Sequence, residues 1–310
     1  MNTFPQEIQD NTKKHKLNMK RAVGICSFLC LFSLFLHNLL GVLVSVFGLN
    51  KDITPYIISA GVLTIAATLL PALFMIKTNG SIKKCLRLGK TNTKLFDSVL
   101  IVIFGSAGCL TASFFVDLVT SFLPQKAVSI YVIFDGNFFT IVLMALSFAV
   151  LPAVCEEIAY RGYIYRAMLR YGQLYAVLFS SVLFSLMHSD IQTAMFAFLC
   201  GFIICCVRKT TGSILLGIII HFINNLMSVI GTAVKIYAGQ NSYGVTFYII
   251  TNVSLVLFII TSFILRKRKI HLFSFKKSPY PLSKKDKLLI TISCPIFIGF
   301  VAAAIAAKFI

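Results

Sequence analysis

The chain has 310 residues, 58% of them hydrophobic and 13% charged, with a formal net charge of +19. A soluble domain averages about 25% charged residues, so this chain has too little charge to cover a globule and is an all-α polytopic membrane protein. Its lysines and arginines sit at the ends of apolar runs, as the positive-inside rule expects; that placement excludes nucleic acid as a partner and indicates membrane lipid.

In chain order the apolar runs predict nine membrane spans, at about 22–49, 56–76, 95–123, 138–155, 174–187, 191–207, 213–230, 245–265 and 288–310. Lys13, Lys14, Lys16, Lys20 and Arg21 precede the first. Lys77, Lys83, Lys84, Arg87, Lys90 and Lys94 fill the loop after the second. A segment with Arg161, Arg166 and Arg170 follows the fourth, Arg208 and Lys209 follow the sixth, and a strongly basic loop, 266–287, follows the eighth. The loops between these carry Lys51 with Asp52, Lys126 with Asp135, Asp190, and Lys235. The alternation predicts a cytoplasmic N-terminus and an external C-terminus. The polar, glycine-bearing stretch 231–244 reads as a surface connection. Of the nine cysteines, eight lie in or beside apolar segments and none forms a C-x-x-C pair, so they read as buried reduced thiols. His15 and His271 fall in loops, and His37 with Asn38 reads as a helix-to-helix hydrogen bonder.

The chain has ten carboxylates, three of them glutamates, and two of those three are neighbours: Glu156 and Glu157, in Pro152-Ala153-Val154-Cys155-Glu156-Glu157. An ionised carboxylate at membrane depth costs about 2.5 to 3.5 kcal/mol unless it is paired or lines a wet cavity. On a helix the two point about 100° apart. Glu157 and Arg161 are four residues apart, on one face, and can neutralise each other. Glu156 then needs partners from other spans. His188 ends the fifth span, and His221 with Asn225 shares one face of the seventh; Asn224 turns away. A glutamate, two imidazoles and a carboxamide meeting in one cavity suit hydrolysis by water, with the glutamate as general base and the others orienting water or stabilising an oxyanion. The same residue types could instead hold a metal ion that activates the water.

Glu156-Glu157-x-x-x-Arg161, then Phe184-x-x-x-His188, then His221-x-x-x-Asn225 resembles the three-motif signature of the CAAX prenyl endopeptidase and bacteriocin-processing (Abi) family of intramembrane proteases. Arg161-Gly162 and Thr211-Gly212-Ser213-Ile214 are similar context. The resemblance implies a CAAX-protease-like catalytic core at 137–230 (spans 4–7), flanked by membrane segments at 1–136 (three spans) and 231–310 (two spans). It implies an endopeptidase acting on a membrane-associated protein or peptide, with Glu156 activating water, His188 holding it, His221 and Asn225 forming the oxyanion site, and Glu157 and Arg161 in support. Family members are often named metalloproteases, so a divalent metal such as zinc, held by Glu156, His188 and His221, stays open. Eukaryotic relatives cut prenylated C-terminal tripeptides, and bacterial relatives are linked to peptide maturation and bacteriocin immunity. A non-catalytic immunity or peptide-binding protein of the same fold is the alternative. A transporter with Glu156 as proton relay is disfavoured, because the glutamate motif has no second copy. One conflict remains: straight spans put Glu156 and His188 about 20 Å apart at 1.5 Å per residue. The expected resolution is a helix break at Pro152.

Overall fold

In lipid a chain can satisfy its backbone only as helices or a closed barrel; the residues described here form helices, with no strand among them. The structure, a computed structural model, describes residues 6–79, 81–88, 91–122, 137–278, 280 and 282–308. Lys90, the connection with Lys126 and Asp135, and the last residues of the third and ninth runs lie outside the described residues. The helices are α1 (Gln6–Val46), α2 (Ile53–Asn79), the short α3 (Ile82–Leu86), α4 (Leu95–Thr120), α5 (Phe138–Tyr171), α6 (Gln173–Leu186), α7 (Ile191–Thr211), α8 (Leu215–Lys267), α9 (Lys284–Ile292) and α10 (Pro295–Ala306).

Among the described residues, six helices are long and apolar enough to cross a membrane, or seven if the bent pair α9–α10 (66°) forms one span. α6 is a shorter apolar helix. α8 has 53 residues and leaves helical geometry at Gly239 (φ 82°, ψ 170°). It is therefore two helices joined at Gly239, each about 35 to 40 Å long at 1.5 Å per residue, and each long enough to cross a bilayer core of roughly 30 Å. Counted this way the set is consistent with the nine-span reading, and the chain is an all-α, multi-pass membrane protein.

Three local expectations change. The stretch 231–244 is helical except at Gly239, because only that residue takes a conformation L side chains avoid. His15 is not in a loop: the polar head of the chain continues α1, its ring packs on Tyr280 at 4.2 Å, and Lys16 pairs with Asp286 at 2.6 Å. Most consequentially, α5 does not break at Pro152. It runs 34 residues, from Phe138 to Tyr171. Proline lacks an N–H and its ring crowds the carbonyl one turn back; here that turn, Ala145–Val150, widens to π-helix and the helix continues. α2 does the same, with Ile65–Leu69 in π-helix ahead of Pro71.

The main buried cluster draws on α1 (Met19, Val23), α2 (Ile76), α5 (Ile164), α6 (Leu183) and α10 (Phe300). A second joins α4, α7 and α8 around Phe104, Ile204 and Ile220. The polar site lies where these clusters meet.

Candidate functional site

The uninterrupted α5 decides the level of Glu156. The helix reaches Tyr171 instead of ending at Cys155, so Glu156 sits near its middle rather than at its end. Gly172 (φ 117°) then reverses the chain into α6. Glu156 stands sixteen residues before Gly172 and His188 sixteen after it, so the hairpin returns His188 to the level of Glu156. The Ser180 hydroxyl donates to the Tyr160 carbonyl at 2.9 Å and locks the two arms. The offset of about 20 Å expected for straight, full-length spans is removed without a break at Pro152, and His188 lies within electrostatic range of Glu156.

Glu157 and Arg161 are fully buried and face each other, Oε1 to Nη1, at 2.8 Å. A second stretch of π-helix, Glu157–Ile164, begins at the glutamate. The contact is an ion pair rather than an aligned hydrogen bond, since Glu157 Oε2 and the guanidinium nitrogens lack hydrogen-bond partners. The Arg161 guanidinium lies over the Phe184 ring, its Cζ 4.5 Å from the ring centre. Two glycines let other helices close over the pair: a Cβ on Gly217 of α8 would stand 3.1 Å from Glu157 Oε2 and 2.9 Å from Ile204, and one on Gly201 of α7 would stand 3.2 Å from Arg161 Nη2.

His221, buried on α8, connects the two glutamates. Its Nδ1 is 3.1 Å from Glu157 Oε1 and its Nε2 is 3.6 Å from Glu156 Oε2. The first distance suits a hydrogen bond, with Nδ1–H donating to the carboxylate that also faces Arg161; the second is too long for a direct one. Glu156, about a quarter exposed at its side chain, is the accessible carboxylate. His188 Nδ1 is 3.1 Å from the Phe184 carbonyl. A carbonyl can only accept, so Nδ1 carries the proton and Nε2 of a neutral His188 has a free lone pair. The Phe184 ring stands edge-on to both imidazoles, at 5.0 Å from His188 and 5.8 Å from His221. Asn225 is half-buried, one turn beyond His221. Asn224 faces a separate polar cavity of about 500 Å³ that also holds Asp117, Gln192 and Tyr243.

Two further residues reach the site: Lys308, which the sequence assigned no role, and His37, which it read as a helix-to-helix hydrogen bonder. Lys308, beyond α10, donates from Nζ to the His188 carbonyl. His37 of α1 lies within electrostatic range of Glu156. Neither carried a signal in its local sequence that pointed to Glu156 or His188, because both act across the fold.

A catalytic zinc needs three protein ligands converging within about 2.3 Å of one point. Among the described residues no three His, Cys, Asp or Glu side chains form such a group. The Nδ1 of His221 is engaged by Glu157 and its Nε2 faces Glu156 from a distance. This donor set does not fit the metal, and no step below is routed through one.

Residues 138–227 match the family model described as Type II CAAX prenyl endopeptidase Rce1-like. The matched segment carries Glu156, Glu157, Arg161, His188, His221 and Asn225. No curated protein and no solved structure matches the chain. The family match supports a peptidase of the CAAX-protease type that works within the membrane.

Proposed function

We propose that the chain is an intramembrane endopeptidase that cuts a membrane-associated protein or peptide with water activated by Glu156. Glu156 takes a proton from water as the oxygen bonds to the scissile carbonyl carbon. His188, with a free Nε2 lone pair, accepts the second water hydrogen and orients the nucleophile. His221 in its imidazolium form, balanced by Glu157 and Glu156, donates from Nε2 to the oxyanion, and the Asn225 amide adds a second donor. As the carbon–nitrogen bond breaks, Glu156 returns its proton to the leaving amine. Glu157 and Arg161 hold His221 in orientation. Two carboxylates facing one guanidinium and one imidazole give the cluster partners of opposite character, which makes it tolerable at membrane depth. The orientation that fits the basic loops is a cytoplasmic N-terminus in the cell membrane.

The observation that carries this reading is the His221 imidazole between Glu157 at 3.1 Å and the accessible Glu156 at 3.6 Å. It is tested by comparing peptides from cells that carry the wild-type chain with those from cells carrying Glu156→Ala at equal membrane abundance. Peptides cut only in the wild type are expected. Identical peptide sets would favour a peptide-binding or immunity protein that does no chemistry.

A further inference from the structure

A second concentration of charge lies where α3, α5, α7 and α8 meet, at Gly212, and among the described residues it contains only cations. Arg208, in the last turn of α7, is 5% exposed. It donates from Nη1 to the Gly212 carbonyl and from Nη2 to the Cys85 carbonyl at 3.4 Å, while its Nε has no partner. Arg87, just beyond α3, folds over the same glycine: a Cβ at Gly212 would stand 3.2 Å from Arg87 Nη1 and 2.8 Å from Asn92 Nδ2. The charges of Arg87 and Arg166 both bear on Arg208. Among the described residues none of the three arginines has a carboxylate within ion-pair distance.

Exposed like charges gain by moving apart in water, and Arg87 and Arg166 are exposed. Their gathering around a buried arginine with an unpartnered Nε needs a balancing anion. The carboxyl end of α7 offsets part of the Arg208 charge, but nothing in the described chain offsets the other two. α8 starts at Leu215, so the positive end of its helix dipole adds to the field at Gly212. Two guanidinium forks and one amide donor around Gly212 match a tetrahedral anion with several oxygens better than they match a planar carboxylate.

We propose that Arg87 and Arg208, with Asn92, form a phosphate-binding site at Gly212, with the exposed Arg166 adding to its positive field. The phosphate group comes either from an anionic lipid headgroup, abundant at a cytoplasmic membrane face, or from a free phosphate. The site stands apart from Glu156 and does not depend on the peptidase reading.

The test uses the full chain, first in neutral detergent without phosphate and titrated with inorganic phosphate, then in bilayer discs of phosphatidylcholine with or without phosphatidic acid. Unfolding midpoint reads the first arm and co-purified lipid the second. Arg87→Gln with Arg166→Gln removes two exposed cations and leaves Arg208 in place as the cap of α7. Lys276→Gln with Lys277→Gln removes the same charge from the basic loop and serves as control. The site variant should bind at least about tenfold more weakly, a difference of about 1.4 kcal/mol, while the control binds as the wild type does. A response to inorganic phosphate identifies a free phosphate; retention of phosphatidic acid alone identifies a headgroup. Equal losses in the two variants, or a wild type that binds neither probe, would overturn the proposal.

Discussion

Arg161 and Arg208 are both buried arginines, and the chain balances them differently. Arg161 has an acid, Glu157, at 2.8 Å, and that acid also holds His221. Arg208 has backbone carbonyls and two more arginines nearby. With 29 Lys and Arg against 10 Asp and Glu, the chain cannot pair every cation internally. It places two of its three glutamates near the middle of α5, where Glu157 neutralises a buried arginine, and leaves cations unpaired at helix ends, where anions can reach them. The comparison teaches how to read a polar cluster in a membrane chain: internal neutrality points to chemistry or structure, and uncompensated charge points to a ligand.

The two clusters should respond to mutation differently. His221→Ala removes the group between the carboxylates and should lower peptidase activity by about 10²- to 10⁴-fold, the usual scale for a lost acid–base or oxyanion group. A specific-activity assay on protein matched for folded content checks it. Arg161→Met leaves Glu157 buried without its cation and should destabilise the fold by about 3 to 5 kcal/mol. Adding Glu157→Gln should recover much of that loss, because the orphaned charge goes with it; unfolding midpoints in detergent measure both. Gly217→Ala pushes a methyl into Glu157 and Ile204 and should cost about 1 to 3 kcal/mol by overpacking. Tyr175→Phe removes the 2.7 Å hydrogen bond to Thr291 that ties α6 to α9 and should cost about 0.5 to 1.5 kcal/mol without changing activity per folded molecule. The smallest effect has the opposite sign: Arg166→Ala, in phosphate-free detergent, should raise the unfolding midpoint slightly by relieving repulsion among the three arginines. A fall there like that of Arg161→Met would erase the distinction between the clusters.

Much of this architecture is legible before any coordinates. Apolar runs locate the helices, because lipid leaves the backbone no other option but a barrel. The four-residue spacing of Glu157 and Arg161 puts them on one face, where they are found at 2.8 Å. The level of Glu156 is read wrongly because the apolar run ends at Cys155 while the helix continues to Tyr171; the break expected at Pro152 does not occur, since the π-turn Ala145–Val150 absorbs the proline. A usable signal was present at Gly172, equidistant in sequence from Glu156 and His188. The 3.1 and 3.6 Å contacts of His221 with two glutamates that point apart were not legible, since they depend on how closely α8 approaches α5 at Gly217. Lys308 and His37 were equally out of reach, each joined to the site only through tertiary packing.

The division of labour between the adjacent glutamates is the central claim, and a paired substitution tests it most directly. Glu156→Gln and Glu157→Gln change the same atoms at neighbouring positions, and each can be measured for unfolding midpoint and for peptide cleavage per folded molecule. Glu156→Gln should keep the wild-type midpoint and lose cleavage. Glu157→Gln should lower the midpoint, by leaving Arg161 buried without its anion, and retain partial cleavage in the molecules that stay folded. A Glu156→Gln protein that still cleaves, or a Glu157→Gln protein with a wild-type midpoint and no cleavage, would contradict the account.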